Sequence, residues 1–255
     1  MACLQKLSDY NLLAGFTKEM GDELRYRDRI AAIAKRPTCD QVFGVSGNWG
    51  HRFEVTVHSP DQILLFEEQL GVRLPEEYVQ LLTETGSGAG PYYGLFSPGK
   101  VLADIETLNA TLSEESRKLP SPADPFPFER RDADEMSARA TIEAAGRAVW
   151  LADGCIPICY HGCTFSTALV TAGELSGTVW TVNDDGAVAQ WWPGGRPPGL
   201  LGEGSFKSGR FVPTFVPRSL PAIPSPPTLL QWYESWLERM ETDLDDYAEF
   251  LRKKG

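Results

Sequence analysis

Gly71-Val72-Arg73-Leu74-Pro75-Glu76-Glu77-Tyr78, followed by Gly86-Ser87-Gly88-Ala89-Gly90-Pro91-Tyr92-Tyr93-Gly94-Leu95-Phe96, is the stretch that decides the fold. Its first part reads as a helix opening on a proline. Pro75 suits the first helical position, where its missing N–H would go unpaired in any case. Glu76 and Glu77 then fall in the first turn, where the helix dipole favours negative charge. Tyr78, Leu81 and Leu82 recur at helical spacing and make one apolar stripe. Gly86 is placed to stop the helix, and the chain runs on into a glycine-rich aromatic loop. No group in the stretch is an obvious acid, base, nucleophile or metal ligand. Its specificity is architectural, which favours a binding protein over an enzyme.

Upstream, Ser59-Pro60-Asp61 is a helix start: a capping side chain, a proline and then an acid. Ile63, Leu64, Phe66 and Leu70 give that helix its apolar face and Gly71 ends it, so two short helices form a hairpin. Residues Leu4 to Lys35 read as helical, with Pro37 closing the run. Phe53-Glu54-Val55-Thr56-Val57 alternates as a strand does, or is an extended lead-in. Downstream, Asp104 to Leu119 reads as an amphipathic helix, Pro120 to Pro127 as a loop, and Ala133 to Ala148 as a further helix.

From Trp150 the pattern turns to strands. Cys155 to Tyr160 and Thr164 to Val170 flank a turn at Gly162. Thr178 to Val182 and Ala187 to Trp192 flank Asn183-Asp184-Asp185-Gly186, and Asp-Gly between two β-rich runs is a strong hairpin signal. The result is a three- or four-stranded antiparallel meander. Leu229, Trp232, Trp236 and Met240 then mark the buried face of a closing helix. The expected class is α+β: an antiparallel β-meander flanked by helices, with an N-terminal helical extension. The expected division is an extension over 1–58 packed on a main domain over 59–255, with a proline- and glycine-rich, irregular insertion at about 193–227.

Composition narrows the partners. The 255 residues are 42% hydrophobic, which supports a real core, and carry a net charge of −11. An acidic protein repels phosphate backbones, so nucleic acid is not an expected partner, whereas a basic protein is. Met1 to Tyr10 has no basic segment leading an apolar run, and no apolar stretch nears the ~18 residues of a span. Hence no membrane association and a cytoplasmic location are expected. Five cysteines, Cys3, Cys39, Cys155, Cys159 and Cys163, are expected as reduced thiols.

The candidate chemistry is thin. Cys155 and Cys159 on one strand face would lie about 13 Å apart at ~3.3 Å per residue, too far for one ion, so with Cys163 they read as structural thiols and no metal is expected. His51, His58 and His161 come without a nucleophile elbow, zinc-protease or phosphate-loop pattern and read as surface or turn residues. Gly86-Ser87-Gly88-Ala89-Gly90 follows a helix rather than opening one, so it is no anion cradle. No cofactor and no catalytic residue are expected. Tyr92, Tyr93, Asp184, Asp185, Trp191 and Trp192 are the candidate partner contacts, because aromatic residues dominate binding hot spots and acids suit a basic partner. Trp191 and Trp192 are neighbours on a strand and point to opposite faces, one toward the core and the other outward.

The order of these signals resembles the SUKH superfamily, which includes bacterial immunity proteins and fungal cell-wall-assembly regulators. The resemblance is carried by Phe66 to Leu74 with Pro75-Glu76-Glu77-Tyr78, by Gly88 to Phe96, by Gly154 to Ile158 with Gly162 to Val170, by Val179-Trp180 with Asp184-Asp185-Gly186, and by the aromatic closing helix. It covers roughly residues 59 to 240. The chain departs from it in an N-terminal segment of about 58 residues, in the lack of acids at His161-Gly162-Cys163, and in the length of the 193–227 link. The resemblance implies an antitoxin that neutralises a cognate bacterial toxin by binding and blocking it, without catalysis. The acidity fits a basic target such as a nuclease effector. The other function it implies is a scaffold or regulatory binding module in signalling.

Overall fold

Ser59 caps the helix that follows it. Its hydroxyl accepts from the Gln62 N–H at 3.3 Å, and the Gln62 side chain accepts from the Ser59 N–H at 2.8 Å, a reciprocal pair that satisfies two otherwise orphaned donors. Pro60 takes the first helical position and Gly71 ends the helix in left-handed backbone. Glu67 then ties down the turn to the next helix. One carboxylate oxygen accepts the Leu74 N–H at 2.9 Å and the other pairs with Arg73 at 2.7 Å. Pro75 sits just outside that next helix with φ −54° and ψ 139°, so the helix begins at Glu76, one residue later than the sequence predicts.

A computed structural model describes residues 20–42, 44–46, 50–112, 119–128, 152–183, 190–194, 204–207, 210–213 and 226–254. Among these, five α-helices are found: α1 (Met20–Ala34), α2 (Pro60–Leu70), α3 (Glu76–Gln80), α4 (Pro98–Leu112) and α5 (Leu229–Lys254). The strands are β1 (Val55–Thr56), β2 (Ser87–Gly88), β3 (Cys155–Gly162), β4 (Phe165–Val170), β5 (Val179–Asn183), β6 (Gln190–Pro193), β7 (Gly204–Lys207) and β8 (Arg210–Pro213). The arrangement is α+β, with the expected antiparallel meander running β3-β4-β5-β6. Leu95 exchanges two hydrogen bonds with Gly88 and bridges to Cys159, which joins the short β1-β2 pair to the meander.

The two faces of the meander are buried by different parts of the chain. Ile156, Ile158, Cys159, Leu169 and Val179 face the helices, meeting Phe66, Tyr78, Leu82, Trp232, Trp236 and Met240. The other face carries Cys155, Ala168, Val170, Trp180, Val182 and Trp191, covered by Phe126 and Phe128 from the 119–128 strap. That strap is fixed where it crosses the strand ends: Gly154 N–H donates to the Ser121 carbonyl at 3.0 Å and Thr171 Oγ1 to the Pro122 carbonyl at 2.7 Å. The sequence reads 120–127 only as a loop. Phe126 within it and Phe128 just after it are core residues carried by a segment that has no periodicity to reveal them.

α5 closes the molecule against both helical units. The Leu230 N–H, an orphan of its first turn, donates to the Glu77 carboxylate at 3.1 Å, so the second Glu of the Pro-Glu-Glu-Tyr motif also caps a distant helix. Tyr233 donates to the Ala89 carbonyl at 2.9 Å. α1 lies on α5. Ile30 and Ile33 are buried in the shared core, Tyr26 meets the Tyr233 ring edge-on at 5.6 Å, and Arg29 forks onto Glu241 at 2.7 and 2.8 Å while also pairing with Glu234.

Several expectations are corrected. β1 is only two residues long, because Arg52 and Phe53 before it adopt left-handed backbone at φ 49° and 58°. α4 starts at Pro98, six residues ahead of the predicted Asp104. The 193–227 insertion is not wholly irregular, since β7 and β8 pair within it. Cys155 and Cys159 do not share a face. A β-bulge between Pro157 and Cys159 puts two residues against one on β4, and turns Cys159 toward the helices while Cys155 faces the strap. The N-terminal part of the predicted first helix, the 133–148 helix and the 184–186 turn lie outside the described residues.

Candidate functional site

The Gly86–Phe96 loop delivers its two tyrosines to one end of the meander, the β3–β4 turn. Phe96 N–H donates to the Ile158 carbonyl at 2.8 Å, and Tyr93 N–H to the Tyr160 carbonyl at 3.3 Å, so the loop runs along β3 toward its tip. Cys159 Sγ lies 3.0 Å from the Pro91 carbonyl oxygen beneath the loop. Successive side chains then alternate. The Tyr92 ring stacks on His161, with centroids 3.4 Å apart and planes within 11°, and the Tyr93 ring stacks on Tyr160 at 6.2 Å and 28°. Gly162 ends β3 between the two pairs.

The loop is tightly constrained. Tyr92 itself adopts φ 55°, a left-handed conformation that costs a non-glycine residue of order 1–3 kcal/mol and persists only where the surroundings over-determine it. Gly44 supplies part of that constraint. A Cβ there would stand 1.5 Å from the Tyr92 carbonyl oxygen, so the neighbouring segment approaches as only glycine permits. Burial pushes the Tyr92 hydroxyl above its usual range and holds the neighbouring His161 down at about 3. His161 Nε2 is hydrogen-bonded to Thr167 Oγ1. The pair is therefore an uncharged, rigid plate at neutral pH.

The structure sorts the sequence-predicted contacts. Tyr92 and Tyr93 are brought together with Tyr160 and His161 at the turn. Asp184 and Asp185 lie outside the described residues. Asn183, which precedes them, pairs with Phe165 just beyond the same turn. Trp191 is no surface residue: it is completely buried, packed edge-on to Phe126 at 5.6 Å and tilted against Phe128 at 6.1 Å. Trp192 beside it pairs through its backbone with Thr181. Tyr160 ends an apolar run that reads as strand interior, and His161 reads as a surface or turn histidine, so neither stands out in the sequence as a partner contact. The signal that finds them is the glycine turn next to them, which sets them opposite the tyrosine loop.

His51 and His58 are buried, not surface residues, whereas His161 is half-buried at the β3–β4 turn. His51 is 8% exposed. Its Nδ1 accepts the Phe53 N–H at 3.0 Å, and its ring meets Phe53 and Trp236 edge-on. His58 is equally buried and hydrogen-bonded to Ser87 Oγ at 2.8 Å. Burial lowers the His51 pKa to about 4. The unfolded chain therefore binds the proton more readily than the folded one between about pH 6.5 and 4. Stability carried by this group is full above pH 6.5 and falls as pH drops through that window, by about 3 kcal/mol in total. Urea titrations from pH 7.5 to 4 should show the decline, and a His51→Gln variant should show a shallower one. Matching slopes would contradict a neutral buried His51.

Among the described residues, no group of three or more His, Cys, Asp or Glu is placed to hold a metal ion, and no helix is long and apolar enough to cross a membrane. Residues 58–194 match the model of the SMI1 / KNR4 family (SUKH-1). The chain belongs to that family, as the Pro-Glu-Glu-Tyr helix, the tyrosine loop and the meander together lead one to expect. Membership puts it among proteins that act through protein–protein contacts. No curated protein and no solved structure matches the chain.

Proposed function

We propose that the chain is an immunity protein that binds and neutralises a cognate bacterial toxin, acting in the cytoplasm by steric blocking and not by catalysis. The observation that carries the reading is membership of the SUKH-1 family together with a net charge of −11. Charge of that size speeds encounter with a basic protein and suppresses association with nucleic acid. A basic nuclease effector has the complementary sign. The rigid aromatic turn at Tyr92, Tyr93, Tyr160 and His161 supports the reading further. Pre-ordered aromatic side chains lose little entropy on binding, and Tyr is enriched among hot spots.

The test is co-expression of this chain with the inactive form of the product of the adjacent coding sequence. A stable one-to-one complex is expected, with an affinity that falls as ionic strength rises because surface charge is screened within about 8 Å at 0.15 M salt. Failure to associate at micromolar concentrations, with both proteins folded, would sink the proposal.

A further inference from the structure

Tyr160 is an exposed aromatic side chain, at 40%. Its ring is nevertheless held in place. Its hydroxyl donates to the Cys163 carbonyl across the β3–β4 turn, and Tyr93 stacks on it. The turn is strained, since Cys163 takes φ 53° just as Tyr92 takes 55° in the facing loop. Two of the four described non-glycine residues with left-handed backbone therefore lie at this one end of the sheet. Such strain collects at binding sites, where a fixed shape is kept at a cost in stability. The fold makes no use of this exposed ring in its core.

We infer that the Tyr160 ring, backed by Tyr93, receives an arginine side chain of a basic protein partner, an inference that rests on the binding reading above. A tyrosine face attracts a cation within about 6 Å of its centroid. A planar guanidinium also stacks on the ring while its N–H groups bond outward, which a lysine ammonium does not match. The net charge of −11 gives the sign of the partner. The same loop already holds a cation over a ring: Lys100 Nζ stands 4.8 Å from the centroid of Phe96. His161 stays neutral through physiological pH and adds no opposing charge beside the turn.

The test is a titration of the full chain with hexa-arginine and with hexa-glutamate peptides, read by backbone and tyrosine-ring NMR signals. Hexa-arginine is expected to move Tyr93, Tyr160, Gly162 and Phe165 before any other residue, and hexa-glutamate to move none of them. Tyr160→Ala should weaken hexa-arginine binding about fivefold, while Tyr160→Phe, which keeps the ring, should stay within about twofold. An unmoved turn with shifts along the acids of α5, or wild-type affinity in a folded Tyr160→Ala, would overturn the inference. Hexa-arginine binding at Tyr160 without any protection against the toxin leaves this site standing and removes the immunity reading. Protection without such binding does the reverse.

Discussion

Gly94→Ala is expected to destabilise the fold severely. A Cβ at this position would stand 2.0 Å from the Gly88 carbonyl oxygen and 3.0 Å from the His51 Cβ, and the backbone there has φ 92°. Relief by a local shift is blocked from both sides. Gly88 exchanges its two hydrogen bonds with Leu95, and the Gly94 N–H is engaged by the Pro91 carbonyl at 2.9 Å. Disfavoured backbone alone costs of order 1–3 kcal/mol, and breaking the Leu95 link to β2 and β3 adds to it. The expected loss exceeds about 4 kcal/mol, out of the 5–15 kcal/mol that a folded protein typically has. Urea unfolding followed by circular dichroism measures it. Gly71→Ala is the control: its backbone is also left-handed, but nothing lies within 4 Å of the added carbon, so about 1 kcal/mol is expected. A Gly94 variant no worse than that control would show that the loop does not hold the sheet together.

Trp191→Ala should lose about 3–5 kcal/mol. The side chain is completely buried and lies in one aromatic group with Phe126, Phe128 and Trp180, so its removal opens a cavity on the face covered by the strap. Among the described residues, only the strap covers that face. The strap is anchored at Ser121 and Phe126 by backbone hydrogen bonds and at Pro122 by the Thr171 hydroxyl, and cannot follow inward without breaking them. The change in unfolding midpoint reads the loss. Partner binding by the surviving folded fraction should stay at wild-type affinity, because Trp191 reaches no surface. A variant of native stability but weakened binding would return Trp191 to the interface and contradict its burial.

What the sequence made legible was local. Ser59 with Pro60, Asp61 and Gly71 bound one helix, Pro75 and Glu76 opened the next, and the Leu229–Trp232–Trp236–Met240 spacing gave the face of α5. Each rests on contacts within a few residues, so periodicity and capping suffice. The tertiary devices were not legible. Glu77 reads as first-turn charge, yet it also caps α5, 153 residues away. Phe126 and Phe128 lie among prolines and carry no period, so the strap over the second sheet face is invisible until the sheet is there to receive it. The bulge before Cys159 changes which face a cysteine occupies, and no residue type announces it. The aromatic turn was half legible. Tyr92 and Tyr93 declare themselves in their glycine loop, but Tyr160 and His161 join them only through the loop's pairing with β3.

The family fold thus supplies a scaffold, and one end of its sheet carries a rigid aromatic surface suited to a partner. Neutralisation of that partner is the central claim. Growth of cells producing the active product of the adjacent coding sequence, with and without this chain, tests it most directly. Colony numbers are expected to be restored by the wild-type chain and to fall again with a folded variant whose Tyr93 and Tyr160 are both replaced by alanine. Equal killing in the presence and absence of the wild-type chain, at matched toxin levels, would contradict it.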